Sequence, residues 1–267
     1  MNQVYKEYFI YSAEWLPLAA GTANASPSSL GFTEFQMRIG TDADFEILKT
    51  ISVCSDRRVW LNMRDTSGRD YFKGDSDLRL ISGGTDLASI PALIIPEYQF
   101  RPYVWPGAFR VAGGSTISVK AADFSGVANT IRMSLHGNKV KTGTPFWETK
   151  QYRYKVPYTY TLDMGTIAAN TSQLGTISID VDADFHVQMV TGISQGTATI
   201  MVTDTRAKDW MDRAVHIYNF FGNGQYPNVL NSGRYLHSGG AITMEVTDLS
   251  GAANRVHINI HGLKLYT

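Results

Sequence analysis

The chain has almost no cysteine. Cys54 stands alone in 267 residues, so no internal disulfide can form, and a disulfide-stapled secreted scaffold is excluded. It has no excess of charge of either sign, with 24 basic and 24 acidic residues. Nucleic-acid binders usually carry a basic excess or stripe. The densest basic clusters here, Arg57-Arg58 and Lys150 to Lys155, are no larger than an ordinary solvated face, so nucleic acid is not an expected partner. No run approaches the roughly 18 apolar residues of a membrane span, and no membrane association is expected. The opening residues Met1-Asn2-Gln3-Val4-Tyr5-Lys6-Glu7 lack the apolar core of a secretory signal, which predicts synthesis and folding in a cytoplasm. Familiar catalytic signatures are missing as well: there is no Gly-x-Ser-x-Gly elbow, no Walker loop, no His-Glu-x-x-His and no Cys-x-x-Cys. Gly222-Asn223-Gly224 is too short for a dinucleotide fingerprint.

What the chain does have is a pattern written twice. Gly113-Gly114-Ser115-Thr116-Ile117, then Asp123-Phe124-Ser125-Gly126, Ala128-Asn129 and His136-Gly137-Asn138-Lys139, close the first half. Gly239-Gly240-Ala241-Ile242-Thr243, then Asp248-Leu249-Ser250-Gly251, Ala253-Asn254 and His261-Gly262-Leu263-Lys264, close the second. Upstream, Asp42-Ala43-Asp44-Phe45 recurs as Asp182-Ala183-Asp184-Phe185, and Asp65-Thr66 as Asp204-Thr205. Ordered repetition of this length means two copies of one domain. The offset falls by about 15 residues between Gly84 and Pro102, which places an insertion in the first copy near 85–101. The expected division is a first domain over 1–141, a linker over 142–157 and a second domain over 158–267, each domain large enough to bury its own core.

Period-2 alternation marks the local structure as β. Thr116 to Lys120, Thr130 to His136 and Arg255 to His261 each alternate apolar and polar side chains, the mark of a strand with one buried face. No segment carries a long stripe at helical spacing; Asp77 to Leu80, Asp86 to Ile90 and Asp209 to Ile217 offer a helical turn or two. Short strands punctuated by Gly, Asn and Pro predict an all-β chain of two tandem antiparallel β-sandwiches. About eight strands per copy favours the jelly roll over the seven-stranded immunoglobulin fold. Cys54 follows Ile51 and Val53 in alternation and is expected in the core.

Duplication also tests which polar motifs carry chemistry, because a residue needed by the fold should appear in both copies. The two carboxylates of Asp-Ala-Asp-Phe could suit a hard cation such as Ca²⁺, but a calcium site needs more oxygens. Their presence at the same place in both copies favours a role in the fold. Asp123 to Gly126 and Asp248 to Gly251 read as turns in which Asp and Ser bond nearby backbone. His136 and His261 fall on the wet face of a terminal strand with no partner at ligand spacing, which favours a structural role. Paired carboxylates for glycoside hydrolysis come together only in space, yet no Asp or Glu lies in an apolar sequence context. No catalytic residue, cofactor or metal is therefore expected, and the chain is not expected to be an enzyme.

The unshared features are sharper. The insertion is unusually apolar for a loop, with Leu93, Ile94, Ile95, Tyr98 and Phe100. It either packs under its own domain as an extra strand or presents a partner surface. The linker is too aromatic to swing freely and is expected to pack on a domain, with Trp147 and Tyr152 as further contact candidates. Trp105 could stack on a sugar, but its counterpart in the second copy is Leu230.

The opening strand Tyr8-Phe9-Ile10-Tyr11, then Leu18-Ala19-Ala20-Gly21, the Asp-Ala-Asp-Phe-Glu strand, a polar strand ending in Asp65-Thr66 and the closing strand follow one another in an order that resembles small virion structural proteins of tailed bacteriophages, of the minor head, decoration or collar type. The resemblance implies a β-sandwich without catalytic residues, acting in the virion after assembly in the host cytoplasm. Its implied partners are copies of itself and other virion proteins such as major capsid or neck proteins. The tandem duplication, the insertion and the aromatic linker depart from the single-unit pattern. A rival reading is a carbohydrate- or receptor-binding tail protein built from tandem lectin-like jelly rolls.

Overall fold

The computed structural model describes residues 4–23, 25–55, 58–66, 71, 75–78, 83–86, 102–205, 209–222 and 226–267. Two tandem jelly-roll-like antiparallel β-sandwiches make up the chain. The strands of the first are β1 (Val4–Leu18), β2 (Thr33–Arg38), β3 (Asp44–Cys54), β4 (Val59–Asp65), β5 (Ser76–Asp77), β6 (Gly83–Asp86), β7 (Tyr103–Val111), β8 (Thr116–Asp123) and β9 (Asn129–Thr142). Those of the second are β10 (Tyr154–Ile167), β11 (Ser172–Ser178), β12 (Asp184–Ser194), β13 (Ala198–Asp204), β14 (Val215–His216), β15 (Asn228–Leu236), β16 (Ala241–Asp248) and β17 (Asn254–Tyr266).

The strand order is that of a rolled-up hairpin. In the second sandwich β10-β17-β12-β15 form one sheet and β11-β16-β13-β14 the other. First strand thus pairs with eighth, second with seventh, third with sixth and fourth with fifth, every pair antiparallel. The first sandwich repeats the order, with β1-β9-β3 and β7 in one sheet and β2-β8-β4-β5 in the other. Among the described residues it adds β6, which runs parallel to β3 and pairs Ile51 with Gly83 through Cys54 with Asp86. The irregularity between Ile47 and Lys49 in β3 recurs between Val187 and Met189 in β12. Even the interruption of the ladder is duplicated.

By its packing the chain divides into two compact units, Met1–Ile10 with Asn138–Thr267, and Tyr11–Gly137. Alternation builds their cores. β13 buries Ala198, Ile200, Val202 and Asp204 while the residues between them are half-buried. In the first of these units Tyr8 and Ile10 join Phe185, Ile200, Trp210, Phe220, Met244 and Ile258 in one apolar cluster. Cys54 is fully buried, as its alternation predicts. The expected helical turn over Asp209 to Ile217 falls a little later, at Ile217–Phe220, where the His216 ring accepts a hydrogen bond from the Tyr218 amide. Val215 and His216 are instead claimed as the short fourth-to-fifth partner of β13.

Candidate functional site

The motifs common to both halves serve the fold. Asp44 accepts a hydrogen bond from the Gly113 amide at 2.9 Å, and Asp184 accepts one from the Ser238 amide at 2.9 Å. Each carboxylate thereby ties the start of its strand to the turn that follows β7 or β15. Phe45 and Phe185, next in sequence, are fully buried. The turns at Asp123 and Asp248 are equally alike. Ser125 and Asn129 donate to Asp123, and Ser250 and Asn254 donate to Asp248, through side chains at 2.7 to 3.1 Å. The Asn170 amide adds a further bond to Asp248 at 3.0 Å. Burial opposes the charge of Asp248, but this ring of donors outweighs it and holds the carboxyl below the ordinary range.

The repeated His-Gly pair is constrained through its glycine. A Cβ at Gly137 would stand 1.8 Å from the Glu46 carbonyl oxygen, and one at Gly262 would stand 2.0 Å from that of His186. Only glycine lets the closing strand approach the irregular stretch of its neighbour. The histidines depart from the sequence expectation of a wet face. His136 is buried, and His261 is half-buried with its ring nitrogens 3.0 Å from the Thr159 hydroxyl and 2.8 Å from that of Thr191. Both lie on strands flanked on each side, β9 by β1 and β3, β17 by β10 and β12. Cross-strand neighbours therefore cover positions that the alternation of one strand assigns to solvent. Burial lowers the pKa of His261 and favours its neutral form. Among the described residues no group of three or more His, Cys, Asp or Glu could hold a metal ion.

The linker aromatics are bound up with their own unit. Trp147 stacks on Tyr235 at 4.2 Å, and Tyr235 stacks on His186 at 3.8 Å, giving three rings in series, with Tyr5 edge-on to Trp147 at 5.6 Å. Tyr152 donates to Asp184 at 2.9 Å, and Lys150 pairs with the same carboxylate at 2.6 Å. Burial opposes the charge of Asp184, yet the bonds from Lys150, Ser238 and Tyr152 hold its carboxyl below the ordinary range. The expected packing of this segment on a domain is observed. Trp147 and Tyr152 remain half-buried. Trp105 donates its indole N–H to the Thr50 hydroxyl at 2.8 Å and is met edge-on by Tyr103 and Phe109. It too is half-buried. Leu93, Ile94, Ile95, Tyr98 and Phe100 lie outside the described residues.

One surface escaped the sequence reading. β10 is the outer strand of its sheet, and Arg153 to Thr159 are exposed without a break. Along it Tyr154, Val156 and Tyr158 keep 56%, 39% and 41% of their surface in water. Tyr154 stacks on Tyr266 at 4.6 Å, and the Lys264 ammonium lies over Tyr158 at 4.4 Å. Lys264 bridges Asp180 at 2.7 Å and Asp182 at 3.1 Å, while Tyr266 donates to Asp182 and Tyr160 to Asp180. Burial works against the charge of Lys264, but the two carboxylates hold it above the ordinary lysine range. The hydrogen bond from Lys264 lowers the Asp182 pKa in turn. Burial raises the Tyr160 hydroxyl to about 12. The signal was present in the sequence as apolar residues at 154, 156, 158 and 160, but alternation cannot tell a buried strand from one whose face is left open.

No protein-family model and no curated protein sequence matches the chain. Solved structures that align over most of its length include three of very low identity. The STIV MCP is 9% identical over 97% of this chain and 96% of its own, with a TM-score of 0.26. The tandem CBM22-1–CBM22-2 domain of Paenibacillus barcinonensis Xyn10C is 7% identical over 98% and 93%, with a TM-score of 0.21. A peptide-N(4)-(N-acetyl-β-D-glucosaminyl) asparagine amidase is 8% identical over 96% of each chain, with a TM-score of 0.20. Likeness at this level carries no argument about function. The strand order itself establishes the jelly-roll-like all-β fold, which viral capsid and carbohydrate-binding proteins share.

Proposed function

We propose that this chain is a non-enzymatic structural protein of a tailed-phage virion, a minor capsid, decoration or head–tail collar component that works through contacts between subunits. The observation that supports this reading most is the open apolar strip on β10. Tyr154, Val156 and Tyr158 stand side by side in water on one strand, and contiguous exposed apolar surface usually marks a protein contact. The shared carboxylates, asparagines and glycines are absorbed in turns and strand contacts, so the polar residues that first suggest chemistry have work in the fold. Its partners are further copies of the chain and other virion proteins, such as major capsid or neck proteins. Mass spectrometry of particles purified to constant composition is the test. The chain should be present in a fixed ratio to the abundant shell protein, and its absence from such particles would defeat the proposal.

A further inference from the structure

The two halves treat their first strand differently, and the difference identifies a partner. In β1 the outer edge is occupied. The Ile10 amide donates to the Trp210 carbonyl at 3.0 Å, the Asp212 amide donates to the Ile10 carbonyl at 3.1 Å, and Arg234 donates to the Tyr8 carbonyl at 3.2 Å. Tyr8 and Ile10 are correspondingly buried. The counterpart of Ile10 in β10 is Thr159, 149 residues on. The same offset matches Tyr11 with Tyr160 and Leu18 with Ile167. Structure supports the alignment: the Gly40 amide donates to the Tyr11 hydroxyl as the Asp180 amide does to Tyr160, and the rings meet Phe45 and Phe185 edge-on.

Thr159 presents the same backbone groups with nothing described against them. Pro157 has no N–H to give the ladder, so its nitrogen side suits the outer edge. Thr159, two residues on, points the same way. Its side chain is exposed, and the strip of Tyr154, Val156 and Tyr158 runs beside it. An unpaired edge of this length is a template for another chain.

What covers the equivalent edge in β1 also has a duplicate. The Trp210 amide donates to the Val202 carbonyl at 3.0 Å, and the Tyr71 amide donates to the Met63 carbonyl at 3.0 Å, 139 residues earlier in each case. Tyr71 is thus the first-half counterpart of Trp210. Arg234, whose guanidinium lies over the Trp210 ring, is matched by Phe109, whose ring meets Tyr71 at 5.1 Å.

We propose that the β10 edge binds a second copy of this chain, with the Thr159 amide donating to the Tyr71 carbonyl of that copy as the Ile10 amide donates to Trp210. A backbone carbonyl has two lone pairs, so it can accept this bond beside any other. The contact joins unlike surfaces of identical chains, an arrangement that closes into a ring when the rotation permits. It rests on the reading of the protein as an assembly subunit and names the surface that reading needs.

The full chain is the material for the test. Thr159→Pro removes the outward N–H and leaves the backbone bonds to β17 in place, whereas Thr159→Ala removes the hydroxyl that meets His261 and the γ-methyl but keeps the N–H. Sedimentation should show an oligomer for the parent and for Thr159→Ala. It should show a rise in dissociation constant on the order of tenfold for Thr159→Pro, with circular dichroism unchanged. Val156→Glu, which puts a charge on the strip without touching the backbone, should weaken association as well. Hydrogen exchange should show protection gained on association in peptides containing Thr159 and Tyr71. An oligomer that survives both Thr159→Pro and Val156→Glu, with Thr159 still exchanging freely, would overturn the inference. So would a chain that stays monomeric at every concentration yet is found in purified particles, an outcome that would leave the virion reading standing and assign the edge to a different protein.

Discussion

Lys49 is the residue whose replacement tests the duplicated architecture most sharply. It lies in β3 just after the ladder irregularity, and only 7% of its surface reaches water. The same position after the irregularity of β12 holds Met189. Burial pushes the Lys49 ammonium from an ordinary 10.5 down to about 8. A shift of that size corresponds to about 3 kcal/mol against the charged form. At pH 7 the group is charged in both the folded and the unfolded chain, so this cost to folding is fully present. Between pH 8 and 10.5 the folded chain has released the proton and the unfolded chain still holds it. Stability therefore rises with pH across this window. Lys49→Met keeps an unbranched side chain one atom shorter, supplies the residue found in the other half and removes the charge. It should stabilise the protein by at most about 3 kcal/mol at pH 7, less whatever bonds the lysine makes. The advantage should shrink towards zero by about pH 10.5. Urea unfolding of both proteins at pH 7 and pH 10, followed by tryptophan fluorescence, reads the difference directly. A variant less stable than the parent at pH 7, or a difference independent of pH, would refute the reasoning.

The remaining expectations concern the buried polar groups of the second half. Arg234 pairs with Asp204 at 3.1 Å with 5% and 4% of their side chains exposed. Arg234→Met should cost about 3–5 kcal/mol in chemical denaturation because it leaves a buried carboxylate without its cation. Asp248→Ala, which removes the acceptor shared by Ser250, Asn254 and Asn170, should cost about 1–3 kcal/mol for each buried donor left unmade. Because the Asp248 pKa is lowered in the fold, its contribution is present above the ordinary carboxylate pKa and is lost as pH falls through the folded value. The penalty of Asp248→Ala should accordingly fade in acid, and a penalty constant from neutral pH to acid would contradict the assignment.

Much of the fold was legible because it rests on local signals. The repeated Asp-x-Ser-Gly turns, the alternation of Arg255 to His261 and the buried Phe after Asp-Ala-Asp each state their role within a few residues. What the sequence could not show was set by neighbours distant in the chain. His136 is buried because β1 and β3 flank its strand. The stack of Trp147 on Tyr235 and His186 brings together residues 88 and 39 positions apart. The first strands of the two halves look alike in sequence, yet one has its outer edge bonded and the other leaves its apolar strip in water. Only that tertiary difference singles out Tyr154, Val156 and Tyr158, and neither alternation nor repetition encodes it.

The central claim is that the chain is a structural part of a virion and acts by subunit contact. Quantitative mass spectrometry of purified particles, counting this chain against the abundant shell protein, tests it most directly. The account expects a constant, symmetry-compatible ratio from one preparation to the next. A ratio that falls towards zero with each purification step, with the chain recovered in the soluble fraction, would contradict it.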